Sequence, residues 1–355
     1  MIDFSQFDSL IAMTMYFNNE QTCIDAIVET RWGVGEEQDV ICPYCGKHHC
    51  SVRKDGKFRC NKCKRNFTCK VGTIFEDSNL SLVKWFIAMY LISSHKKGIS
   101  SHQLARDIKV TQKTAWYILQ KVRALYTQDD SEVLSGMVEC DEVYIGGKEK
   151  WKHQSMRTPK TQGRSTKTKT PVFGMMERSS YINAKGEEEF MSYVRAMVVE
   201  KTDRATLEPI ISQFIAEGST VFSDELTAYN HLSEKGYEHK ICNHGALQFV
   251  CEGEVYTNNI EGFWSHFRRM IIGCYHDVSD EHLQSYIDEA CFRWNTRKMS
   301  ESERFAMMFK TSIGLIKQMR YLSCVLLHKS FYHSILINYD TKHHKRRFKK
   351  NWNKI

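Results

Sequence analysis

Two pairs of cysteines have the spacing of metal ligands. Cys42 and Cys45 form one C-x-x-C pair, Cys60 and Cys63 form a second, and fourteen residues lie between the two pairs. Four thiolates arranged in this way can close a tetrahedral zinc site, and the metal supplies folding free energy to a segment too small for a core of its own. The spacing predicts one structural Zn²⁺ per chain, with the following rival ligands: Cys50, Cys69, His48 and His49.

Three acidic residues interrupt segments that otherwise resemble core elements. Asp141 lies within an apolar run at 137–145, Asp224 ends a second run at 219–224, and Glu261 lies in a basic helical segment. A charge inside a strand is costly unless it is paired or bound to metal, although a solvated edge strand would also explain any one of them. Brought together, the three carboxylates could hold two Mg²⁺ or Mn²⁺ ions and promote an in-line phosphoryl displacement.

Other polar side chains lie beside these three acids. Arg268 follows Glu261 by two helical turns, so it shares that helix face and could hold a phosphate, and Arg269 extends the basic surface. Trp264 is predicted to be a core residue rather than a platform for stacking bases. Solvation is the simpler interpretation of three further acids, which could instead contact the metal ligands: Glu139, Glu142 and Glu225.

The segment 98–126 has the pattern of a helix-turn-helix. Apolar residues predict a first helix at 101–108, and Thr111 is placed to cap a second helix at 112–126. Three polar residues at the start of that helix would then face the major groove of DNA: Gln112, Lys113 and Thr114. An ordinary three-helix bundle is the alternative, because the pattern is degenerate.

The remaining periodicity predicts the elements that position these residues. Two short helices are expected within 5–31 and an apolar helix at 82–94. Further along, strand-like runs come first, at 137–145, 171–177, 190–199 and 219–223, with one helical stretch inserted at 203–217. Helical stretches at 258–270, 280–297 and 301–327 follow. The order predicts a multidomain α/β protein that ends in an α/β domain of about 200 residues.

Composition excludes several classes of protein. The 355 residues supply enough apolar material for a core, and the longest apolar stretch, Trp85 to Ile92, is far short of the roughly 20 residues needed to cross a bilayer. The acidic amino terminus does not resemble a secretory signal. The expected location is therefore the cytoplasm, where most of the 13 cysteines would be reduced.

The net charge of +8 is concentrated in a few segments. Residues 341–355 contain seven basic residues and no acid, so the preceding 340 residues have a net charge of only +1. Residues 147–170, with Lys148 and Lys150, contain eight basic residues and one acid. We expect this loop and the basic tail to contact the DNA backbone, the tail in a salt-sensitive manner. A merely solvated loop is the alternative.

Taken together, these motifs resemble those of a known family, the zinc-ribbon insertion-sequence transposases with an Asp-Asp-Glu catalytic set. This is a bacterial group related to the eukaryotic Merlin elements. The likeness runs from Arg31-Trp32 to the segment 292–297. Its most specific parts are Asp141-Glu-Val-Tyr-Ile-Gly-Gly-Lys-Glu149, Phe222-Ser-Asp224, Asn259-Ile-Glu-Gly-Phe-Trp264 and Ile272-Gly-Cys-Tyr-His276. Thirty-six residues separate Asp224 from Glu261, which is similar to the spacing in the family.

The resemblance implies a ribonuclease-H-like mixed-sheet catalytic domain with C-terminal helices. The first acid would lie on the first strand, the second just after the fourth strand, and the third on a following helix. Some branches place an asparagine third, so Asn258 and Asn259 are alternatives to Glu261. His276 would orient a phosphate or the third carboxylate, with a structural histidine as the alternative. The expected segments are N-terminal helices at 1–38, a zinc ribbon at 39–72, the helix-turn-helix at 80–127, the catalytic domain at 132–330 and the tail at 331–355.

The activity that the resemblance implies is nicking at the element ends and strand transfer into target DNA. The expected partners are the element ends, the target DNA and at least one further subunit, in a bacterial protein associated with the nucleoid. Two rivals share part of this interpretation. One is a non-catalytic DNA-binding regulator derived from a transposase, and the other is a metal-dependent nuclease without strand transfer.

Overall fold

The computed structural model of the chain describes residues 2–35, 38–128, 133–146, 152–161, 165–182, 186–241 and 257–314. Its first helices are α1 (Leu10–Tyr16) and α2 (Glu20–Trp32). The side chains of Ser9 and Asn19 each accept a hydrogen bond from a backbone N–H of the first turn that follows, which stabilises the helix start. The two predicted N-terminal helices are therefore confirmed, and Asn19 caps the second of them.

A small antiparallel sheet follows, with strands β1 (Cys50–Val52), β2 (Phe58–Cys60) and β3 (Asn66–Phe67). Its apolar side chains are too few for a separate core. The rings of Phe58 and Phe67 stack at 5.6 Å, and Trp32 from α2 packs edge-on against Phe58 at 4.9 Å. The ribbon thus shares its core with the preceding helix.

Three helices lead to the larger domain: α3 (Leu82–Ser94), α4 (Ser101–Asp107) and α5 (Gln112–Arg123). The turn between α4 and α5 takes four residues, of which Lys109 has a φ of 50°. Thr111 caps α5 by accepting a hydrogen bond from the N–H of Thr114 at 3.2 Å. The helices and the cap are as predicted, with α5 giving way after Arg123 to a short 3-10 turn at Ala124–Tyr126.

The larger domain is built on a five-stranded mixed sheet. Its strands are β4 (Met137–Ile145), β5 (Thr170–Ile182), β6 (Glu188–Val198), β7 (Thr220–Ser223) and β8 (Glu238–Ile241), in the spatial order β6-β5-β4-β7-β8. The first three are antiparallel, whereas β7 is parallel to β4 and β8 is parallel to β7. Helix α6 (Arg204–Phe214) connects β6 to β7. This is the ribonuclease-H-like arrangement that was expected.

Helices cover both faces of this sheet. On one face lie α7 (Asn258–Met270), a π-helical turn (Ile271–Tyr275) and α8 (Asp280–Asn295), which pack their apolar side chains on β4, β5 and β6. On the other face lies α6. The last described helix is α9 (Glu301–Gly314). The predicted helix at 301–327 extends beyond the described residues.

The outer strand β6 has part of its open edge covered by side-chain amides. Asn295 donates to the carbonyl of Val194 and accepts from its N–H, at 2.9 and 2.8 Å. Gln128 forms the same pair of bonds with Ala196, at 2.7 and 3.1 Å. An open sheet edge otherwise invites pairing with another chain. These amides therefore satisfy the backbone groups of Val194 and Ala196 at the edge without a further strand.

A buried charge cluster joins α5 to α8. The carboxylate of Glu289, 1% exposed, accepts hydrogen bonds from Arg123 Nε at 2.8 Å, Arg293 Nη2 at 2.6 Å and the hydroxyl of Tyr275 at 2.8 Å. Burial alone would raise the pKa of Glu289, but the two guanidinium groups lower it to about 2. The end of α5 is thereby fixed to the larger domain.

Across the described ranges, we find no helix with the length and apolarity that a bilayer crossing requires.

Candidate active site and metal centres

The four predicted zinc ligands lie together. The Sγ atoms of Cys42, Cys45, Cys60 and Cys63 all lie within 4.8 Å of one another, with Cys42 to Cys63 at 3.6 Å and Cys45 to Cys60 at 3.7 Å. Thiolates about 2.3 Å from one Zn²⁺ are about 3.8 Å apart, so the donor set fits a tetrahedral ion. The backbone N–H groups of Cys63 and Lys62 lower the pKa of Cys60 to about 6, which favours the thiolate that binds metal.

The alternative zinc ligands lie in environments different from that of the four-sulfur group. Cys50 pairs across the sheet with Cys60, and its side chain is not part of the four-sulfur group. His48 Nδ1 lies 2.5 Å from a carboxylate oxygen of Asp39. Cys69 is buried, and burial raises the pKa of its thiol to about 11. The geometry therefore favours the four cysteines of the two C-x-x-C pairs.

A second group of ligand atoms lies in the larger domain. Carboxylate oxygens of Asp141, Glu142 and Asp224 lie within 4.8 Å of one another, and all three residues are partly buried. The sheet register explains why they meet. β7 pairs with β4 only from Met137 to Glu139. Asp224, which follows β7, therefore lies beside the part of β4 that continues past β7 and carries the other two acids.

The carboxylate of Asp141 lies close to the negative charges of neighbouring acids. Burial raises its pKa to about 7, and the charges of Asp224 and Glu261 act in the same direction against a lowering by the backbone N–H of Glu142. An excess of carboxylates at one place is the donor chemistry that a divalent cation would neutralise. The residues present therefore fit Mg²⁺ or Mn²⁺. Glu261 is exposed in the first turn of α7 and acts on Asp141 through its charge, but it is not in the group of three closest acids.

Glu142 joins the site although solvation was the simpler prediction for it. Its carboxylate accepts a hydrogen bond from the hydroxyl of Tyr229, which is fully buried. Burial raises the pKa of Tyr229 well above its ordinary value, as does the adjacent Glu142, so the phenol stays protonated and donates. Nothing in the sequence around Tyr229 indicated that a carboxylate would lie beside it.

Glu139 is another correction to the expectation of solvation. Its side chain is 0% exposed and accepts hydrogen bonds from Arg178 Nε at 2.6 Å, Asn259 Nδ2 at 2.7 Å and the backbone N–H of Ile260 at 2.9 Å. The last two donors belong to the first turn of α7. A signal was present in the sequence, since an acid flanked by Val138 and Cys140 in a strand covered on both faces must be paired.

Trp264 packs between α7 and the sheet, as predicted for a core residue. It is 3% exposed, and its ring lies against Gly174 on β5, which is directly opposite Asp141. A Cβ atom on Gly174 would lie 2.5 Å from the indole ring. The indole N–H lies near enough to Asp141 to lower its pKa, although it forms no hydrogen bond of ordinary geometry. A glycine inside a strand can signal such a close approach.

Some of the predicted phosphate-binding residues lie within the part of the chain that the structure describes. Arg268 and Arg269 are exposed on the last turn of α7, on the helix that carries Glu261 in its first turn. His276 is exposed just after the π-helical turn, with a φ of 62° that is strained for a side-chain-bearing residue. Lys148, Lys150 and the tail at 331–355 lie outside the described residues.

The predicted DNA-reading residues lie at the exposed start of α5. Gln112 and Lys113 are exposed and Thr114 is half-buried, while Ala115, Ile118 and Leu119 pack behind them. The amide of Gln112 donates to the hydroxyl of Ser101 at 2.8 Å. These positions are compatible with entry into a groove, and their contact with DNA stays a prediction.

Comparison with known proteins gives two family matches. Residues 133–295 match the ISXO2-like transposase domain, and residues 18–66 match the transposase zinc-ribbon domain. A protein in the transposable element ISH50 of Halobacterium salinarum is 28% identical over 315 residues, which cover 84% of this chain and 98% of that protein. A transposase-like protein of Haemophilus influenzae is 28% identical over 126 residues, 36% of this chain and 92% of that protein.

Proposed function

Because the chain belongs to the zinc-ribbon insertion-sequence transposases of the Asp-Asp-Glu type, we propose that it binds the terminal repeats of an insertion sequence and catalyses metal-dependent strand cleavage and strand transfer into target DNA. The observation that carries the proposal is the meeting of Asp141 and Asp224 at the end of the paired part of β4 and β7. Helix α7 brings Glu261 near enough for its charge to act on Asp141.

In this proposal the carboxylates of Asp141, Asp224 and Glu261 would hold two divalent ions. Bound Mg²⁺ or Mn²⁺ would supply the positive charge that activates a water or a 3′-hydroxyl and stabilises the leaving oxygen. Glu142, held by Tyr229, adds negative charge beside them. Trp264, which is 3% exposed, packs against Gly174 directly opposite Asp141 and so closes that side of the site.

Basic and polar residues would place the DNA. Arg268 and Arg269 are exposed along α7 and would contact phosphates near the acids, as would Lys148, Lys150 and His276. Gln112, Lys113 and Thr114 would read bases of the element end. Because Arg123 at the end of α5 is bound to Glu289 of the larger domain, the reading helix would keep a fixed place relative to the acids.

Zinc has a structural role in the proposal, at one ion per chain. Joining two element ends needs an active site at each end, so we also propose that the active complex contains at least two copies of the chain. Its DNA substrate would place it in the cytoplasm at the nucleoid.

Two other functions are separated from this one by experiment. A non-catalytic regulator has no use for the partly buried acids at Asp141 and Asp224, which disfavours it. A nuclease without strand transfer would use the same metal site, and inverted repeats flanking the coding sequence in its genome would favour the transposase.

The decisive assay incubates the full chain with Mg²⁺, a duplex made from the sequence flanking its coding region, and a supercoiled target plasmid. We expect cleaved ends that carry 3′-hydroxyl groups, and joined products with the plasmid. Cleaved ends without joining would favour the nuclease, whereas binding without cleavage would favour the regulator. Asp141→Asn is the control, since any product that survives it does not come from this site.

A further inference from the structure

We propose that Glu139 is a positioning residue, which sets the place of Glu261 relative to Asp141 by holding the first turn of α7. This inference rests on the proposed function, because it concerns the same metal site. Glu139 itself would touch neither metal nor DNA, since its side chain is 0% exposed.

The alternation of side chains along β4 places Glu139 where it can act on α7. Successive residues of a strand point to opposite faces of a sheet, so Glu139, Asp141 and Val143 share one face. Val143 packs on that face in the core formed with α7. Gly174, directly opposite Asp141, lies against Trp264 and Ile260 of α7. One stretch of strand therefore carries both a metal-binding acid and the residue that binds the helix.

The contacts of Glu139 replace an ordinary helix cap. The N-terminal N–H groups of a helix need acceptors from outside the helix, and the side chain of Thr257 forms no capping hydrogen bond. Glu139 instead accepts the N–H of Ile260 at 2.9 Å and the amide of Asn259 at 2.7 Å. Its negative charge is also favourable at the positive end of the helix dipole. Glu261 is the next residue after Ile260, so its backbone is fixed one position from this contact.

Arg178 on β5 completes the arrangement. Its Nε donates to Glu139 at 2.6 Å, and its guanidinium group lies over the ring of Phe222 at 4.5 Å. A buried ion pair is a weak source of stability by itself, because desolvation offsets much of the attraction. The ion pair is better explained by a role in positioning, because it connects β5, β4 and α7 at the edge of the metal site.

The same contacts bear on the identity of the third metal ligand. The side-chain amide of Asn259 is directed at Glu139 and serves to hold the helix. Asn258 is exposed at the first position of α7. We therefore assign Asn259 to support of the helix and not to metal binding, and Glu261 stays the proposed third ligand because its charge acts on Asp141.

The test is a double-mutant cycle on the full, zinc-loaded chain, with Mn²⁺ binding measured by electron paramagnetic resonance. The variants are Glu139→Gln, Glu261→Gln and the two combined. In Glu139→Gln the new amide group must face either the N–H of Ile260 or the donors of Arg178 and Asn259, so one of the two contacts with α7 is lost and the hold is weakened. We expect Glu139→Gln to weaken Mn²⁺ binding about tenfold. The double variant should match Glu261→Gln within about twofold, because Glu139 acts through Glu261.

Two further variants separate positioning from folding. Asn259→Ala removes one contact with α7 but leaves the Arg178 to Glu139 pair in place, and it should weaken Mn²⁺ binding in the same direction if the chain keeps its thermal midpoint. Adding Asn259→Asp to Glu139→Gln restores a donor and acceptor pair with the roles exchanged, and should recover part of the Mn²⁺ affinity.

Losses that multiply in the double variant would overturn the inference, as would a folded Glu139→Gln chain that binds Mn²⁺ like the wild type. A different result would contradict the proposed function. A wild-type chain that neither cleaves nor joins element ends would contradict that function, while non-additive Mn²⁺ binding in the same preparation would still support the role of Glu139.

Discussion

The four-cysteine cluster and the acidic cluster are both candidate metal centres, and they are built in different ways. Cys42, Cys45, Cys60 and Cys63 come from one short module and form a set of four ligands that leaves no position open. Asp141 lies on β4, Asp224 directly follows β7 and Glu261 lies on α7, and we propose that buried residues which bind no metal set their places. The first centre is specified by local spacing, whereas the second is specified by the whole fold of the larger domain.

Removing zinc ligands should give the largest effect. We expect the pair of changes Cys42→Ser and Cys60→Ser to abolish bound Zn²⁺ and to unfold the ribbon, because structural zinc contributes on the order of 10 kcal/mol to such modules. Cys50→Ser is the matched control and should keep one Zn²⁺ per chain. Zinc content is measured by atomic absorption, and zinc retained by the double variant would mean that the ligands lie elsewhere.

Removing one acid should abolish chemistry without unfolding the chain. We expect Asp141→Asn or Asp224→Asn to lower strand cleavage by at least about a thousandfold, an effect of roughly 4 kcal/mol on the barrier, since each variant has lost a charged ligand. Affinity for the element end, measured by gel shift without Mg²⁺, should stay near that of the wild type. Glu225→Gln, exposed and next to Asp224, is the matched control. Cleavage unchanged by either aspartate variant would contradict the site.

The dependence of the acidic centre on its packing is tested at Gly174. Gly174→Ala would place a Cβ atom 2.5 Å from the Trp264 ring and displace α7, so we expect a loss of about 1–3 kcal/mol in the free energy of unfolding and weaker Mn²⁺ binding. Gly273→Ala, which has open space around its Cβ position, is the control. Urea unfolding measures the stability. Equal stability of the two variants would show that Trp264 does not depend on this close approach.

A further expected effect is a pH dependence of stability in Mg²⁺-free buffer. The pKa of Asp141 is raised from about 4 in the unfolded chain to about 7 in the fold, so its contribution to stability is full below about pH 4 and is lost as the pH rises through 7. Asp141→Asn cannot ionise. The thermal midpoint of the variant relative to the wild type should therefore rise by a few degrees between pH 4 and pH 8. A difference that stays constant with pH would contradict the raised pKa.

The sequence predicted the zinc centre better than the acidic centre, and the reason is physical. The spacing of two C-x-x-C pairs is enough to specify a closed site, whatever surrounds it. The strand at 137–145 and the helices at 82–94 and 258–270 were also predicted with the bounds observed, because each has strong periodicity or clear caps.

Long-range pairing was not accessible from periodicity. The short strand β8 was missed because its four residues, Glu238–Ile241, carry little apolar pattern and form a strand only by pairing with β7. The buried role of Glu139 depends on donors up to 121 positions away along the chain. Likewise, nothing near Tyr229 in the sequence indicates that it faces Glu142.

The most direct test of the two-centre account is a count of metal ions in the zinc-loaded chain with element-end DNA. We expect the wild type to keep one Zn²⁺ through dialysis and to take up two Mn²⁺ ions on titration, whereas Asp141→Asn should keep the Zn²⁺ but lose Mn²⁺ uptake. Equal Mn²⁺ uptake by the two chains, or Zn²⁺ lost from Asp141→Asn, would contradict it.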